Sequence, residues 1–184
     1  AKLCSLVDAR LIHISTDCVF NGRKGLYTED DPSNAEDLYG KSKYMGELHD
    51  LPNAVTLRTS IIGHELKSQT SLLSWFLSQN GSVKGYSKAI FSGLTTGELA
   101  NLIKEYVVPD ASLCGLYHVA AEPIDKFSLL KIIADIYEKD INIVPDEEVK
   151  IDRSLNSSKF TQKTGYIAPS WHKLIKKMHQ LQLS

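Results

Sequence analysis

Apolar and polar positions along this chain follow two patterns, one typical of buried strands and one typical of amphipathic helices. Leu11 to Phe20 is apolar at its start and polar toward its end, which predicts a buried strand. Pro52-Asn53 is a break, and Ala54 to Ile62 is a second β-rich run that ends at Gly63. Leu38 to Leu51, between the two runs, has helical spacing, and its expected apolar positions are Leu38, Met45 and Leu48.

The second half of the chain continues this alternation. Thr95-Thr96-Gly97-Glu98 has the Thr-x-x-Glu spacing of a capping box, which predicts a helix that starts after Thr95. Strands that alternate with helices at this spacing predict an α/β fold with a largely parallel sheet. The other predicted helices are Leu72 to Leu77, Leu99 to Val107, Phe127 to Tyr137 and Ser170 to Leu181. The other predicted extended segments are Val83 to Leu94, Gly115 to Ala121 and Ile141 to Pro145.

Two polar triplets follow the predicted strands. Ligands of open parallel sheets bind beyond the carboxyl ends of the strands, so Ser15-Thr16-Asp17 and Arg58-Thr59-Ser60 are expected in the functional crevice. Thr16 and Asp17 could instead simply cap the turn after the first strand, because Thr and Asp favour such positions.

Tyr39-Gly40-Lys41-Ser42-Lys43 is the clearest candidate for chemistry. Residues four apart on a helix lie on one face, so the Tyr39 phenol and the Lys43 ammonium are expected to share one space. A fixed cation favours the phenolate, which suits a general acid or base acting on an alcohol or ketone. The Thr16 hydroxyl could bind the same substrate oxygen. An incidental pair on a surface helix is the alternative interpretation.

Composition narrows the class of protein. The 21 Lys and Arg residues nearly balance the 22 Asp and Glu residues, so no overall attraction to nucleic acid or anionic membranes is expected. The three cysteines include no C-x-x-C pair, and the six histidines have no metal-ligand spacing, so neither a disulfide framework nor a metal site is predicted. No apolar run approaches a membrane span. These features predict a soluble protein of the cytoplasm.

Three motifs together resemble a known family. They are Ser15-Thr16-Asp17-Cys18-Val19-Phe20, Tyr39-Gly40-Lys41-Ser42-Lys43 with Gly46-Glu47, and Leu57-Arg58-Thr59-Ser60. In this order they resemble the extended short-chain dehydrogenase/reductases, most of all the dTDP-4-dehydrorhamnose reductase type. The resemblance implies a partial Rossmann-like, doubly wound, mostly parallel sheet plus a smaller α/β substrate lobe. Residues 1–63 would be the second half of the nucleotide-binding domain, and residues 64–184 mainly the substrate lobe.

The resemblance also implies site residues and partners. Thr16, Tyr39 and Lys43 would be catalytic. Tyr39 and Lys43 would also contact the cofactor, NADP or NAD, with Lys43 bound to the nicotinamide ribose, and the backbone near Thr59 and Ser60 would face the nicotinamide. The substrate would be a nucleotide-linked 4-keto sugar of polysaccharide biosynthesis, such as a dTDP-rhamnose precursor. A homodimer is left open. The predicted substrate contacts are Thr16, Asp17, Cys18 and Arg153.

The chain also departs from this family. It contains no G-x-x-G-x-x-G turn for the cofactor pyrophosphate, and it begins without Met, so we expect a fragment of a longer protein. Cys18 stands where family members often have tyrosine. Arg153 lies in a polar loop and could bind a diphosphate or pair with Asp152 or Glu148. The alternatives to a reductase are a non-catalytic sugar-nucleotide-binding or regulatory subunit, and an epimerase or dehydratase of the same superfamily.

Overall fold

The computed structural model describes residues 1–66 and 70–182. Within these ranges the chain forms ten strands and seven α-helices, joined by turns and loops. The strands are β1 (Leu11–Thr16), β2 (Ala54–Thr59), β3 (Ile61–Ile62), β4 (Ser82–Tyr86), β5 (Ala89–Phe91), β6 (Leu94–Thr95), β7 (Gly115–His118), β8 (Ile124–Asp125), β9 (Asn142–Asp146) and β10 (Ile151–Asp152). The helices are α1 (Lys2–Ser5), α2 (Leu38–Met45), α3 (Leu72–Ser78), α4 (Thr96–Leu102), α5 (Lys126–Ile136), α6 (Ser158–Thr164) and α7 (Trp171–Gln182).

Three parallel strands form the central sheet, in the order β1-β2-β7. All six residues of β2 are buried, as expected for the middle strand of a parallel sheet that is covered on both faces. The register places Thr16 beside Thr59 and Arg58 beside His118. The carboxyl ends of all three strands therefore meet at one edge, and the predicted α/β fold with parallel strands is confirmed.

Smaller sheets lie beyond this unit. β4 pairs with β9 in parallel, β3 with β6 in parallel, and β5 lies between β10 and β8. One apolar cluster joins these parts, because it contains residues of the central sheet and of the later helices. It includes Leu57, Leu102, Leu130, Phe160 and Ile175.

Local sequence signals account for the helix starts. Thr95 accepts a hydrogen bond from the Glu98 amide at the start of α4, and Asp125 accepts one from the Ser128 amide at the start of α5. The helix predicted to reach Val107 ends its α-helical part at Leu102 and continues as a π-helical turn, Ile103–Val107. The capping signal thus located the start of this helix correctly.

Helix α2 differs from its prediction in length and in orientation. It ends at Met45 rather than Leu51, because the chain turns at Gly46. Leu38 and Met45 are wrong as core positions, since they are 83% and 85% exposed, whereas Leu48 is half-buried. The helix lies against the sheet through the face that bears Gly40, where an added Cβ would lie 2.1 Å from the Cys18 carbonyl oxygen. Leu38 and Met45 project from the opposite face.

The first predicted strand is also shorter than expected. β1 ends at Thr16, and Asp17–Val19 form a short 3₁₀ turn rather than extended chain. The Thr16 hydroxyl accepts a hydrogen bond from the Cys18 amide, and this bond begins the turn. Likewise, the second β-rich run is divided into β2 and β3, which belong to different sheets.

Candidate active site

A cleft of about 390 Å³ opens at the carboxyl ends of β1 and β2. It contains both the predicted acid-base pair and the residues that follow the two strands. Arg153 is the single predicted site residue that does not line it. The lining residues are Ile14, Ser15, Thr16, Asp17, Cys18, Tyr39, Lys43, Thr59, Ser60 and Ile61.

Helix α2 presents Tyr39 and Lys43 to this cleft. Asp37 caps the helix, since its Oδ1 accepts a 2.7 Å hydrogen bond from the Gly40 amide. The Lys43 Nζ donates a 2.8 Å hydrogen bond to the Ile14 carbonyl of β1, which fixes the ammonium at the sheet. Tyr39 lies one turn earlier, is 57% exposed and has its ring at the cleft wall. A phenol and a tethered cation therefore share one solvent-accessible space.

Thr16 and Asp17 form a hydrogen-bonded pair at the floor of the cleft. The Thr16 Oγ1 lies 3.2 Å from the Asp17 Oδ1 and donates to it. Burial raises the pKa of Asp17, while the hydrogen bond from Thr16 and the charge of Arg153 oppose this rise. To donate a hydrogen bond to a ligand oxygen instead, the Thr16 hydroxyl must rotate away from Asp17.

Arg153, in the loop after β10, lies beside the cleft and contacts Cys18, one of the lining residues. Its Nη1 lies 3.4 Å from the Cys18 Sγ, and its Nη2 lies 3.9 Å from the Asp37 Oδ2. Within the part of the chain that the structure describes, its ion-pair partner is therefore Asp37, neither of the two acids expected from the sequence. Burial and the neighbouring Asp17 carboxylate raise the pKa of the Cys18 thiol, so this thiol is neutral.

Sequence reasoning missed a buried polar network beside the cleft. The Glu47 carboxylate accepts hydrogen bonds from the Arg58 Nε (2.8 Å) and Nη2 (2.7 Å), and from the Ser15 Oγ (2.6 Å). The Arg58 Nη1 lies 3.2 Å from the His118 Nε2. The available signal was the Gly46-Glu47 pair that follows the motif from Tyr39 to Lys43.

Another cavity, of about 460 Å³, lies at the carboxyl end of β7. Its apolar floor includes Ala120, Ala121 and Leu155, and Glu122 is its one charged residue. Among the described residues that line it, there is no paired acid and base and no cation. The chemistry that the sequence predicts therefore belongs to the smaller cleft between Thr16 and Tyr39.

Neither a metal-binding cluster nor a membrane-spanning helix occurs among the described residues. Across residues 1–66 and 70–182, His, Cys, Asp and Glu side chains form no group of three or more that could hold a metal ion. Over the same ranges, none of the helices combines the length and the apolar character that crossing a bilayer requires.

Known proteins share both the sequence and the fold of this chain. A region of 139 residues is 34% identical to the zebrafish protein methionine adenosyltransferase 2 subunit beta, and it covers 69% of this chain and 43% of that protein. A region of 127 residues is 31% identical to the dTDP-4-dehydrorhamnose reductase of Mycolicibacterium smegmatis, and it covers 65% of this chain and 38% of the reductase. The chain therefore spans less than half the length of these curated relatives.

The fold comparison agrees with the sequence comparison. The crystal structure of dTDP-4-dehydrorhamnose reductase from Bacillus anthracis in complex with NADP superposes with a TM-score of 0.81 at 22% identity, over 96% of this chain and 67% of that one. The family model for the RmlD substrate binding domain matches residues 1–183. The fold, the order of the motifs and this match over nearly the whole sequence show that the chain belongs to the RmlD substrate binding domain family.

Proposed function

We propose that this chain is the catalytic and substrate-binding part of an NAD(P)-dependent reductase that acts on a nucleotide-diphosphate-linked 4-keto sugar. One observation carries the proposal. Tyr39 and Lys43 of helix α2 and Thr16 at the end of β1 line one cleft at the carboxyl edge of a parallel sheet. The similarity to the mycobacterial dTDP-4-dehydrorhamnose reductase supports the choice of reaction.

In the proposed reaction, Tyr39 donates its phenolic proton to the carbonyl oxygen of the sugar. The Lys43 ammonium stabilises the phenolate that results, and the Thr16 hydroxyl donates a hydrogen bond to the same oxygen after it leaves Asp17. A reduced nicotinamide, when bound, supplies the hydride to the carbonyl carbon. The exposure of Tyr39 suits this role, because the phenol can be reached from solvent and has no competing partner among the described residues.

The cleft fits the nicotinamide end of such a cofactor. Lys43, Thr59 and Ser60 line the same wall and offer an ammonium, hydroxyls and backbone groups to a ribose and a carboxamide. The sequence has no glycine-rich turn for the pyrophosphate. We therefore propose that NADP or NAD is held jointly with a nucleotide-binding segment outside this chain, with residues 1–63 on the cofactor side and residues 64–184 mainly on the substrate side.

Three further residues are proposed to contact the substrate. Arg153 carries a positive charge beside the cleft, next to Asp37 and Cys18. The phosphate oxygens of a sugar diphosphate can replace Asp37 as the partner of this guanidinium, because the contact to Asp37 is weak. Asp17 and Cys18 lie deeper and would face the sugar hydroxyls. A neutral thiol at position 18 is a weaker hydrogen-bonding group than the tyrosine often found there in the family.

The test is turnover by the longest natural form of the protein that contains this chain. We expect NADPH oxidation when a dTDP-linked 4-keto sugar is added, and we expect Tyr39→Phe to lower kcat by roughly 10²–10⁴-fold, the range for loss of a general acid. Tyr44→Phe is the matched control, because Tyr44 lies on the same helix but outside the cleft. Undiminished turnover in Tyr39→Phe removes Tyr39 from the mechanism.

A second candidate is a non-catalytic regulatory subunit. The observation that favours it is the similarity to a protein named as the beta subunit of methionine adenosyltransferase 2. Sedimentation of this chain with a methionine adenosyltransferase catalytic subunit distinguishes the two, since a stable complex without reductase activity supports the second candidate. Net consumption of NADPH during turnover separates a reductase from an epimerase or a dehydratase, in which the cofactor is regenerated.

A further inference from the structure

Tyr39 and Lys43 lie one turn apart on helix α2, and Glu47 follows two residues after the helix ends at Met45. We propose that Glu47, held by Arg58, is a positioning residue that fixes the place of Tyr39 and Lys43 relative to Thr16. This inference rests on the proposed function of the cleft. It adds a role for two charged residues that touch neither substrate nor cofactor in that proposal.

The contacts of Glu47 join the helix to both strands that form the cleft. Its side chain is fully buried, and its Oε1 accepts hydrogen bonds from Ser15 of β1 and from Arg58 of β2. Ser15 directly precedes Thr16, and Arg58 directly precedes Thr59. A shift of α2 along the sheet would therefore break bonds to both strands at once.

Arg58 makes this anchor rigid. Its guanidinium is 1% exposed and binds both carboxylate oxygens of Glu47, a planar geometry that Lys cannot reproduce. The guanidinium carbon also lies 5.1 Å from the centre of the Phe20 ring. Burial favours the neutral carboxyl of Glu47, yet the hydrogen bonds with Arg58, Ser15 and His49 outweigh it and lower the pKa of Glu47. Both members of the pair are therefore charged.

His118 completes the network from β7. Burial and the charge of Arg58 lower its pKa to about 3, so the ring is neutral. Its Nε2 faces the Arg58 Nη1 at 3.2 Å and acts as acceptor, which leaves the Nδ1 proton to donate to the Tyr27 carbonyl at 2.9 Å. Within the described residues, the carboxylate that forms an ion pair with Arg58 is that of Glu47. Removal of Glu47 leaves a buried cation without this ion-pair partner.

Amide hydrogen exchange of the 184-residue chain tests the anchor without any assay of activity. The main variant is the double change Glu47→Gln with Arg58→Met, which removes both charges and so avoids a buried unpaired cation. We expect α2 amides to lose protection by roughly ten-fold or more, while α5 amides change little. If this variant does not fold, Glu47→Asp serves the same comparison, because it keeps the charge but shortens the reach.

Glu98→Gln is the matched control. Glu98 is also a buried carboxylate, bonded to the Tyr166 hydroxyl at 3.1 Å and to the Lys177 Nζ at 3.3 Å, but it lies outside the cleft. General destabilisation would lower protection in both cases, whereas positioning of α2 predicts a loss there only in the Glu47 variants. Unchanged α2 protection, or an equal loss in Glu98→Gln, overturns the inference.

A kinetic measurement on the longer form links the anchor to catalysis. We expect Glu47→Asp to lower kcat by roughly ten-fold with little change in KM for the sugar nucleotide, because displacement of Tyr39 affects the reacting geometry more than binding. An equal kcat in the two proteins contradicts the role in catalysis. If the unsubstituted protein has no turnover at all while the exchange result holds, the proposed function fails and the anchor of α2 stands.

Discussion

Acidification should destabilise this protein through the buried side chain of His118. The imidazole is fully buried between Arg58 and the Tyr27 carbonyl. Its pKa is about 3 in the folded chain and close to the ordinary histidine value of 6.5 when the chain is unfolded. Between these two values the unfolded chain binds a proton that the folded chain does not. The free energy of unfolding therefore falls as the pH falls from the unfolded pKa toward the folded one.

The size of this effect follows from the two pKa values. At about pH 7 the histidine is mostly neutral in both states, so its contribution changes little above that pH. Between about pH 7 and about pH 5, the linkage relation gives a loss of about 2 kcal/mol from this one site. That loss is a substantial fraction of the roughly 5–15 kcal/mol by which a domain is usually stable.

Urea unfolding of the chain and of His118→Gln, followed by the fluorescence of Trp75 and Trp171, measures this contribution. Gln can still accept a hydrogen bond from Arg58, but it does not titrate. His13 and His64 also have lowered pKa values, and their effects are present in both proteins. We expect the variant to be less stable at about pH 7, and we expect the difference between the two proteins to narrow by about 2 kcal/mol at about pH 5.

A constant difference across this range would refute the reasoning. It would mean that His118 titrates alike in the folded and unfolded chains, so that neither burial nor Arg58 depresses its pKa. A difference that widens on acidification would be a stronger contradiction, since it requires a protonated ring that is stabilised in the fold. The sign of the change is therefore as informative as its magnitude.

Three further substitutions test the packing and the caps. Gly40→Ala should destabilise the chain and lower turnover, although Ala favours helices, because its Cβ would lie 2.1 Å from the Cys18 carbonyl oxygen; a stabilised variant in thermal melts would contradict the close approach of α2. Leu57→Ala should cost about 2–5 kcal/mol in urea unfolding, because Leu57 is fully buried in the middle strand; a cost below about 1 kcal/mol would place it outside the core. Asp125→Ala should lower the free energy of unfolding by about 1 kcal/mol, because α5 loses its N-terminal cap. Asp140→Ala should lower it less in the same assay, because Asp140 caps none of the described helices.

Local signals predicted most of the secondary structure. The apolar runs located β1, β2 and β7, helical spacing located α5, and the capping signal at Thr95 located the start of α4. Strands β8 and β10 were not predicted, because a strand of two residues has no periodicity and exists through its pairing with β5. Helix α6 was also missed, since its seven residues bury Phe160 alone.

The candidate site divides in the same way. The order of the motifs identified the candidate residues Thr16, Tyr39, Lys43, Thr59 and Ser60. The parallel pairing of β1 and β2 made it predictable that they line one cleft. The roles of these residues stay predictions. The contact of Arg153 with Asp37 and Cys18 could not be predicted, because the three residues come from separate loops whose arrangement depends on the packing of the second half of the chain.

The sequence by itself determined where strands and helices form and which side chains carry the chemistry, because periodicity, caps and the four-residue repeat are local properties. Only the tertiary structure decided which face of α2 meets the sheet and which charges are buried together. Glu47, Arg58 and His118 lie far apart in sequence, and nothing local couples them. Their network exists because neighbouring strands and the end of α2 bury these side chains together, where a charge is stable only beside its counter-charge.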